Sequence, residues 1–122
     1  MKMIVAYVRP EAFEPIRQEL LTAGFPSLTI GEVRGSGRQK GLTEQYRGTE
    51  FTINMRPKLR VECVVEDGDV QVVTETVLRN ARTGAVGDGK IFVLPVEEAI
   101  RIRTGEYGQE VLQAHGAAET AV

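Results

Sequence analysis

Apolar residues along this chain recur with two different periods, and the switches between them mark out its elements. Met3–Val8 is a short apolar run with β-branched residues, which predicts a buried strand. Pro10 interrupts it, and Phe13, Ile16 and Leu20 then recur at helical spacing through Ala23. Pro15 fits only in the first turn of that helix, which therefore begins near Phe13, and Gly24 supplies its stop. Leu28–Val33 sets Leu28, Ile30 and Val33 against Thr29 and Glu32, a second strand. Lys58–Val65 alternates again, with Leu59, Val61, Cys63 and Val65 on one face and Lys58, Arg60, Glu62 and Val64 on the other. A turn over 66–69, with Asp69 as a candidate N-cap, leads into a helix whose stripe is Val70, Val73, Val77 and Ala81. Lys90–Val96 is an apolar strand and Ala99–Arg103 reads as a short extra one, after which the tail from Glu106 shows no clear core face.

The order β-α-β, long interruption, β-α-β predicts an α+β, ferredoxin-like split βαβ sandwich: an antiparallel sheet with two helices on one face. A doubly wound sheet would need more strands and helices on both faces. The second sheet face is left bare by this arrangement, so self-association is expected. At 122 residues the chain is one domain, and 42% hydrophobic and 26% charged residues are ordinary globular values. A net charge of −2 and a pI near 5.5 speak against a dedicated DNA binder. An RNA-binding domain of this shape would stack bases on aromatics in its central strands, where this chain offers Val61, Cys63, Ile91 and only Phe92. Cys63, the one cysteine, excludes a disulfide and reads as a buried thiol. The first apolar run is too short for a signal-peptide core or a membrane span, so a cytoplasmic protein is expected.

Between the second and third strands lies a polar, glycine-rich and basic excursion within Ile30–Lys58. Structureless loops beyond about 12–15 residues usually carry function or are disordered. Gly35-Ser36-Gly37-Arg38-Gln39-Lys40-Gly41 has neither the spacing nor the following helix of a dinucleotide fingerprint, but Arg38, Lys40 and Lys58 gather positive charge there. Gln39 offers the one uncharged side-chain oxygen in that run suited to a magnesium ion already held by phosphates. A second glycine-rich turn, Gly84–Lys90, matches GxxxxGK but has Ile91 in place of Ser/Thr and runs from helix to strand, so it is no Walker A motif. Its glycines still let backbone N–H groups approach an anion closely. In an extended Ile100–Arg103, Arg101 and Arg103 would face one way as paired phosphate forks, with Ile100 and Ile102 toward the core. No residues have the spacing of a catalytic set, and His115 stands alone in the tail. Binding, not catalysis, is the chemistry on offer.

With these residues placed, the chain resembles the PII family of nitrogen-regulatory signal proteins, most specifically in Val33–Phe51, Arg82–Glu97 and Ile100–Glu106. The resemblance covers residues 1–105 as one domain, with a T-loop at about 37–55 and a tail over 106–122. It implies a homotrimer with a nucleotide site in each cleft between subunits, taking ATP or ADP. Adenine would lie near Thr29, Glu62 and Val64, and the phosphates near Gly37, Arg38, Gly87, Asp88, Gly89, Lys90, Arg101 and Arg103, the two arginines coming from the neighbour. Magnesium would be shared by the phosphates, Gln39 and 2-oxoglutarate, with Lys40, Gly41 and Lys58 completing the oxoacid site. Tyr46, Arg47, Thr49, Glu50 and Phe51 would form the tip that docks onto an ammonium transporter or nitrogen-metabolism enzymes. The resemblance implies a regulator, not an enzyme, with no nucleic-acid partner and membrane contact only through a transporter. Two departures stand out: Phe51 has no hydroxyl to uridylylate where many relatives carry tyrosine, and Ser36 replaces an aromatic between the glycines. The alternative is a PII-like adenine-nucleotide sensor of carbon or bicarbonate metabolism that does not bind 2-oxoglutarate; Gln39, Lys40, Gly41 and Lys58 argue against it.

Overall fold

A computed structural model describes residues 1–36, 43–46, 49–52 and 55–112. Strand β1 (Lys2–Val8) is followed by helix α1 (Phe13–Thr22), β2 (Thr29–Gly35), a short pair β3 (Thr43–Tyr46) and β4 (Thr49–Thr52), then β5 (Arg56–Val65), helix α2 (Val70–Ala81) and β6 (Gly89–Pro95). The main sheet has the order β2-β5-β1-β6, with every neighbouring pair antiparallel. Both helices lie on one face, as the ferredoxin-like reading requires.

Local chemistry sets the element ends. Pro15 sits in the first turn of α1, where its missing N–H breaks no helical bond. Gly24 takes φ +97° past the end of that helix. There the Gly24 N–H donates to Leu21 O at 3.1 Å and the Phe25 N–H to Leu20 O at 2.7 Å, a Schellman closure. Asp69 occupies the N-cap position of α2 but makes no side-chain capping bond; a 3₁₀ turn over Asp67–Asp69 leads in instead.

The core forms where the two periods meet. Ile4, Ala6 and Val8 of β1 and Val61, Cys63 and Val65 of β5 are buried against Ile16 and Leu20 of α1 and Val73, Val77 and Ala81 of α2. Each large side chain so buried contributes about 1.5–3 kcal/mol. Cys63 is a free thiol within that layer, and burial pushes its pKa up to about 11.

Neither α1 nor α2 covers the opposite sheet face. By the pairing register it carries Tyr7, Lys90 and Phe92 beside Glu62 and Val64. The Tyr7 and Phe92 rings meet edge to face at 6.2 Å, and Phe92 and Leu94 remain half-exposed.

Two expectations change. The excursion between the second and third strands contains a ladder, with Thr43 opposite Thr52 and Tyr46 opposite Thr49, four pairs too short to stand out by alternation. Ala99–Arg103 is not a strand. Ile100 makes a single bridge to Tyr107, and the chain reverses between them, held by the Arg101 N–H on Glu106 O and the Gly105 N–H on Arg101 O, both at 2.7 Å. Gly105 takes φ +76° in this reversal. Ile100 and Ile102 therefore do not enter the core: they are 60% and 99% exposed. Residues 108–112 form a 3₁₀ turn; His115 lies outside the described residues.

Candidate anion site at the 83–89 turn

The start of β6 is drawn tightly onto the end of β1. Val8 pairs with Gly89, and a Cβ on Gly89 would stand 1.7 Å from Tyr7 O. With φ +111° as well, only glycine fits there. This close approach brings the 83–89 turn over Arg9, the residue just past β1, and over Lys58 of β5, which pairs with Val33 near the base of the β3–β4 excursion.

Cations and backbone then interlock. The Arg9 guanidinium donates through Nη2 to Val86 O at 2.8 Å and lies 3.4 Å, at Nε, from the Asp88 carboxylate. The Lys58 ammonium donates to Gly87 O. Asp88 also accepts the N–H groups of Thr83 and Gly84 at 2.8 and 2.9 Å, and the Thr83 hydroxyl at 2.5 Å. Hydrogen bonds from the Thr83 hydroxyl and N–H, above all, hold the Asp88 carboxyl down at about 2. The Lys58 pKa is lowered as well, first by burial and then by the neighbouring charges of Arg9 and Arg56. The turn thus gathers two cations, Arg9 and Lys58, beside one carboxylate, Asp88.

The N–H groups of Val86 and Gly87 donate to no partner among the described residues, while the Asp88 N–H closes a turn over Val86–Gly87 toward Ala85. Consecutive backbone donors in a glycine-bearing turn form a nest suited to phosphate or carboxylate oxygens. The donor set fits a polyphosphate. No group of three or more His, Cys, Asp or Glu side chains that could hold a metal occurs among the described residues.

One chain does not gather every site residue named from the sequence. Gly87, Asp88 and Gly89 stand with Lys58, and Lys90 follows in β6 opposite Tyr7. Thr29 and Glu62 face each other across β2 and β5, with Val64 two residues on. By register, Glu62 lies opposite Val5 and Val64 opposite Met3, three and five residues along β1 from the Val8–Gly89 pair. These offsets are about 10 and 17 Å along the strand. Glu62 also pairs with Arg60 at 3.3 Å. Arg101 binds Glu106 at 3.1 Å and the carbonyl of Val111 at 2.9 Å, and Arg103 lies within the reversal. Gly37, Arg38, Gln39, Lys40, Gly41 and Arg47 lie outside the described residues, while Tyr46 ends β3 and Thr49, Glu50 and Phe51 belong to β4.

The sequence reading missed Arg9 and Thr83. Arg9 looked like a strand end before a proline, and only the β1–β6 register brings it to Asp88. Thr83 did carry a signal: a hydroxyl residue heading a glycine turn, five residues before an aspartate.

The family model described as Nitrogen regulatory protein P-II matches residues 1–106. The chain belongs to the nitrogen regulatory protein P-II family. It is 50% identical to Nitrogen regulatory protein P-II 2 of Methanothermobacter thermautotrophicus, over 92% of this chain and 97% of that one. It is also 49% identical to Nitrogen regulatory protein P-II of Microchaete diplosiphon and 46% to that of Synechocystis sp., each over 92% of this chain and the whole of the relative. In this P-II family member the matched span includes Arg9, Lys58, the 83–89 turn and the 101–106 reversal.

Proposed function

We propose that the protein is a PII-type signal protein that senses ATP or ADP together with 2-oxoglutarate. It regulates nitrogen assimilation by docking its T-loop onto target enzymes or an ammonium transporter. The observation that carries this reading is the glycine turn at 83–89, whose Val86 and Gly87 N–H groups donate to no partner among the described residues and whose carbonyls are held by the Arg9 and Lys58 cations. Such a nest binds phosphate oxygens without a side-chain nucleophile or base, which is a sensor's equipment. It leaves Lys58, desolvated and pressed by two arginines, ready to gain from an arriving carboxylate.

The separation of Thr29, Glu62 and Val64 from the 83–89 turn supports a site completed by a second copy. In a homotrimer the bare sheet face is covered, and the exposed Ile100–Tyr107 reversal delivers Arg101 and Arg103 to the neighbour's phosphates. Magnesium, when bound, would be held by Gln39 together with the phosphates and the oxoacid. ADP, lacking the third phosphate, would offer it fewer oxygens. Lys58 belongs both to the acid site and to the base of the loop-bearing strands, so ligand occupancy biases the loop, and a docked target biases ligand affinity in return. A cytoplasmic location suits these small-molecule effectors; no helix among the described residues is long and apolar enough to cross a membrane.

Isothermal calorimetry tests the reading. Mg-ATP should bind, and 2-oxoglutarate should then give heat with Mg-ATP present but none with ADP in its place. Nucleotide binding with no oxoacid heat under either condition would favour the carbon- or bicarbonate-sensing alternative.

A further inference from the structure

We propose that Asp88 is a positioning residue for the nucleotide turn: it touches no phosphate or metal, and acts through Thr83 and Arg9 to aim the N–H groups of Val86 and Gly87 at the ligand. The inference rests on the nucleotide reading above and changes the part that Asp88 plays in it.

The first argument is saturation. An ionised carboxylate has about four lone-pair sites. Asp88 Oδ2 already receives the N–H groups of Thr83 and Gly84, while Oδ1 receives the Thr83 hydroxyl and faces Arg9 Nε at 3.4 Å. No site is left for a ligand or a magnesium ion. Arg9 also balances the Asp88 charge, which would otherwise repel a polyphosphate.

The second argument is the division of the backbone donors. Asp88 takes the N–H groups of 83 and 84, and the Thr83 hydroxyl takes that of Ala85 at 3.1 Å. The first three donors of the turn are thus satisfied internally, the Asp88 N–H closes the turn toward Ala85, and those of Val86 and Gly87 are left over. Peptide geometry decides where the Gly87 donor points. In a trans peptide the C=O and N–H are directed oppositely. Val86 O turns toward Arg9, so the Gly87 N–H turns away from it. Gly87 O turns toward Lys58, so the Asp88 N–H turns away from Lys58 and back across the turn toward Ala85. Asp88 keeps Arg9 in place for the first of these orientations. Gly87 permits the turn with φ +103°, and a Cβ there would already crowd Arg9 Nη2 at 3.2 Å.

The test is calorimetry of magnesium-free ADP and of Mg-ATP on the full chain and on Thr83→Ser, Thr83→Val, Asp88→Asn and the Thr83→Val/Asp88→Asn double variant, each checked for a cooperative melt. Thr83→Val and Asp88→Asn should each weaken both nucleotides about tenfold, and the double variant should be little worse than either, because the two residues act as one device. Thr83→Ser keeps the hydroxyl and should restore binding to within about twofold. Should Asp88→Asn fail to fold, the Thr83→Val and Thr83→Ser contrast decides alone. Tighter binding by Asp88→Asn would reveal a carboxylate facing the phosphates, and loss of Mg-ATP alone would reveal a metal contact; either overturns the proposal. So would losses that multiply in the double variant, or variants equal to the unaltered protein. Failure of the unaltered protein to bind any nucleotide would instead overturn the reading beneath it, and the proposal with it.

Discussion

In the turn at 83–89, charge and backbone answer one another within a single chain. Asp88 gathers two N–H groups and a hydroxyl, Arg9 and Lys58 hold two carbonyls, and Gly89 lies against β1. The reversal at 101–106 is built from similar materials, two arginines, a glycine with positive φ and a carboxylate. Yet it displays Ile102 almost wholly to solvent and lies apart from the sheet core. Both segments look like phosphate binders in the sequence. The first has its geometry fixed by contacts to β1 and β5. The second holds its shape through its own short-range bonds and leaves its apolar side chains exposed. A similar motif chemistry can therefore be locked to the sheet in one place and closed only on itself in another.

The sharpest way to break this contrast is glycine replacement. Gly89→Ala should cost upwards of about 4 kcal/mol, because its Cβ would collide with backbone, whereas Gly105→Ala meets nothing and should cost only the roughly 1–2 kcal/mol of a left-handed residue. Denaturant melts of both variants measure the difference; equal losses would mean that the 83–89 turn is not locked to β1.

Apolar truncation gives the next largest effect. Ile16→Ala in the core should cost about 2–5 kcal/mol. Ile102→Ala should leave unfolding of the isolated chain within about 0.5 kcal/mol of its starting value, since the side chain buries nothing within it. Sedimentation should nonetheless show Ile102→Asp as a smaller species if this reversal meets a second copy. A core-sized loss of chain stability on truncating Ile102 would place it in an intrachain core.

Titration separates the regions more gently. The Asp88 carboxyl is held at about 2 against an ordinary 3.8, so its stabilisation of the turn is complete above about pH 4 and fades as pH falls through about 2. Amide signals of Thr83 and Gly84 should follow that course. Burial raises the Cys63 thiol to about 11 from an ordinary 9.0, so the folded state keeps its proton while the unfolded state loses it, and stability should decline as pH rises between those values. Alkylation of Cys63 at neutral pH should proceed only as fast as the chain opens.

Most of the fold was legible in the sequence because periodicity and burial agree. The Val70–Ala81 stripe, the Leu59–Val65 alternation, Pro15 in a first turn and Gly24 at a helix end are local signals that the packing respects. What was not legible depends on partners remote in sequence. Alternation in Ile100–Arg103 imitates a strand, but among the described residues it makes only the Ile100–Tyr107 bridge, and Gly105 turns it back. Arg9 reaches the site only because β1 and β6 pair in one particular register. Of the site itself, the glycines, Lys58 and Asp88 could be named in advance. The use of Asp88 could not, since it depends on the 2.5–2.9 Å bonds that occupy its oxygens.

A subunit-mixing experiment tests most directly the claim that one region is self-contained and the other serves a neighbour. Lys90→Ala and Arg103→Ala chains, each assembled alone, should bind Mg-ATP weakly. Refolded together in equal amounts, they should recover full-affinity binding at about a quarter of the interfaces, those that join two unaltered faces in a closed cyclic assembly. No recovery on mixing, with both variants assembled normally, would contradict a site shared between copies.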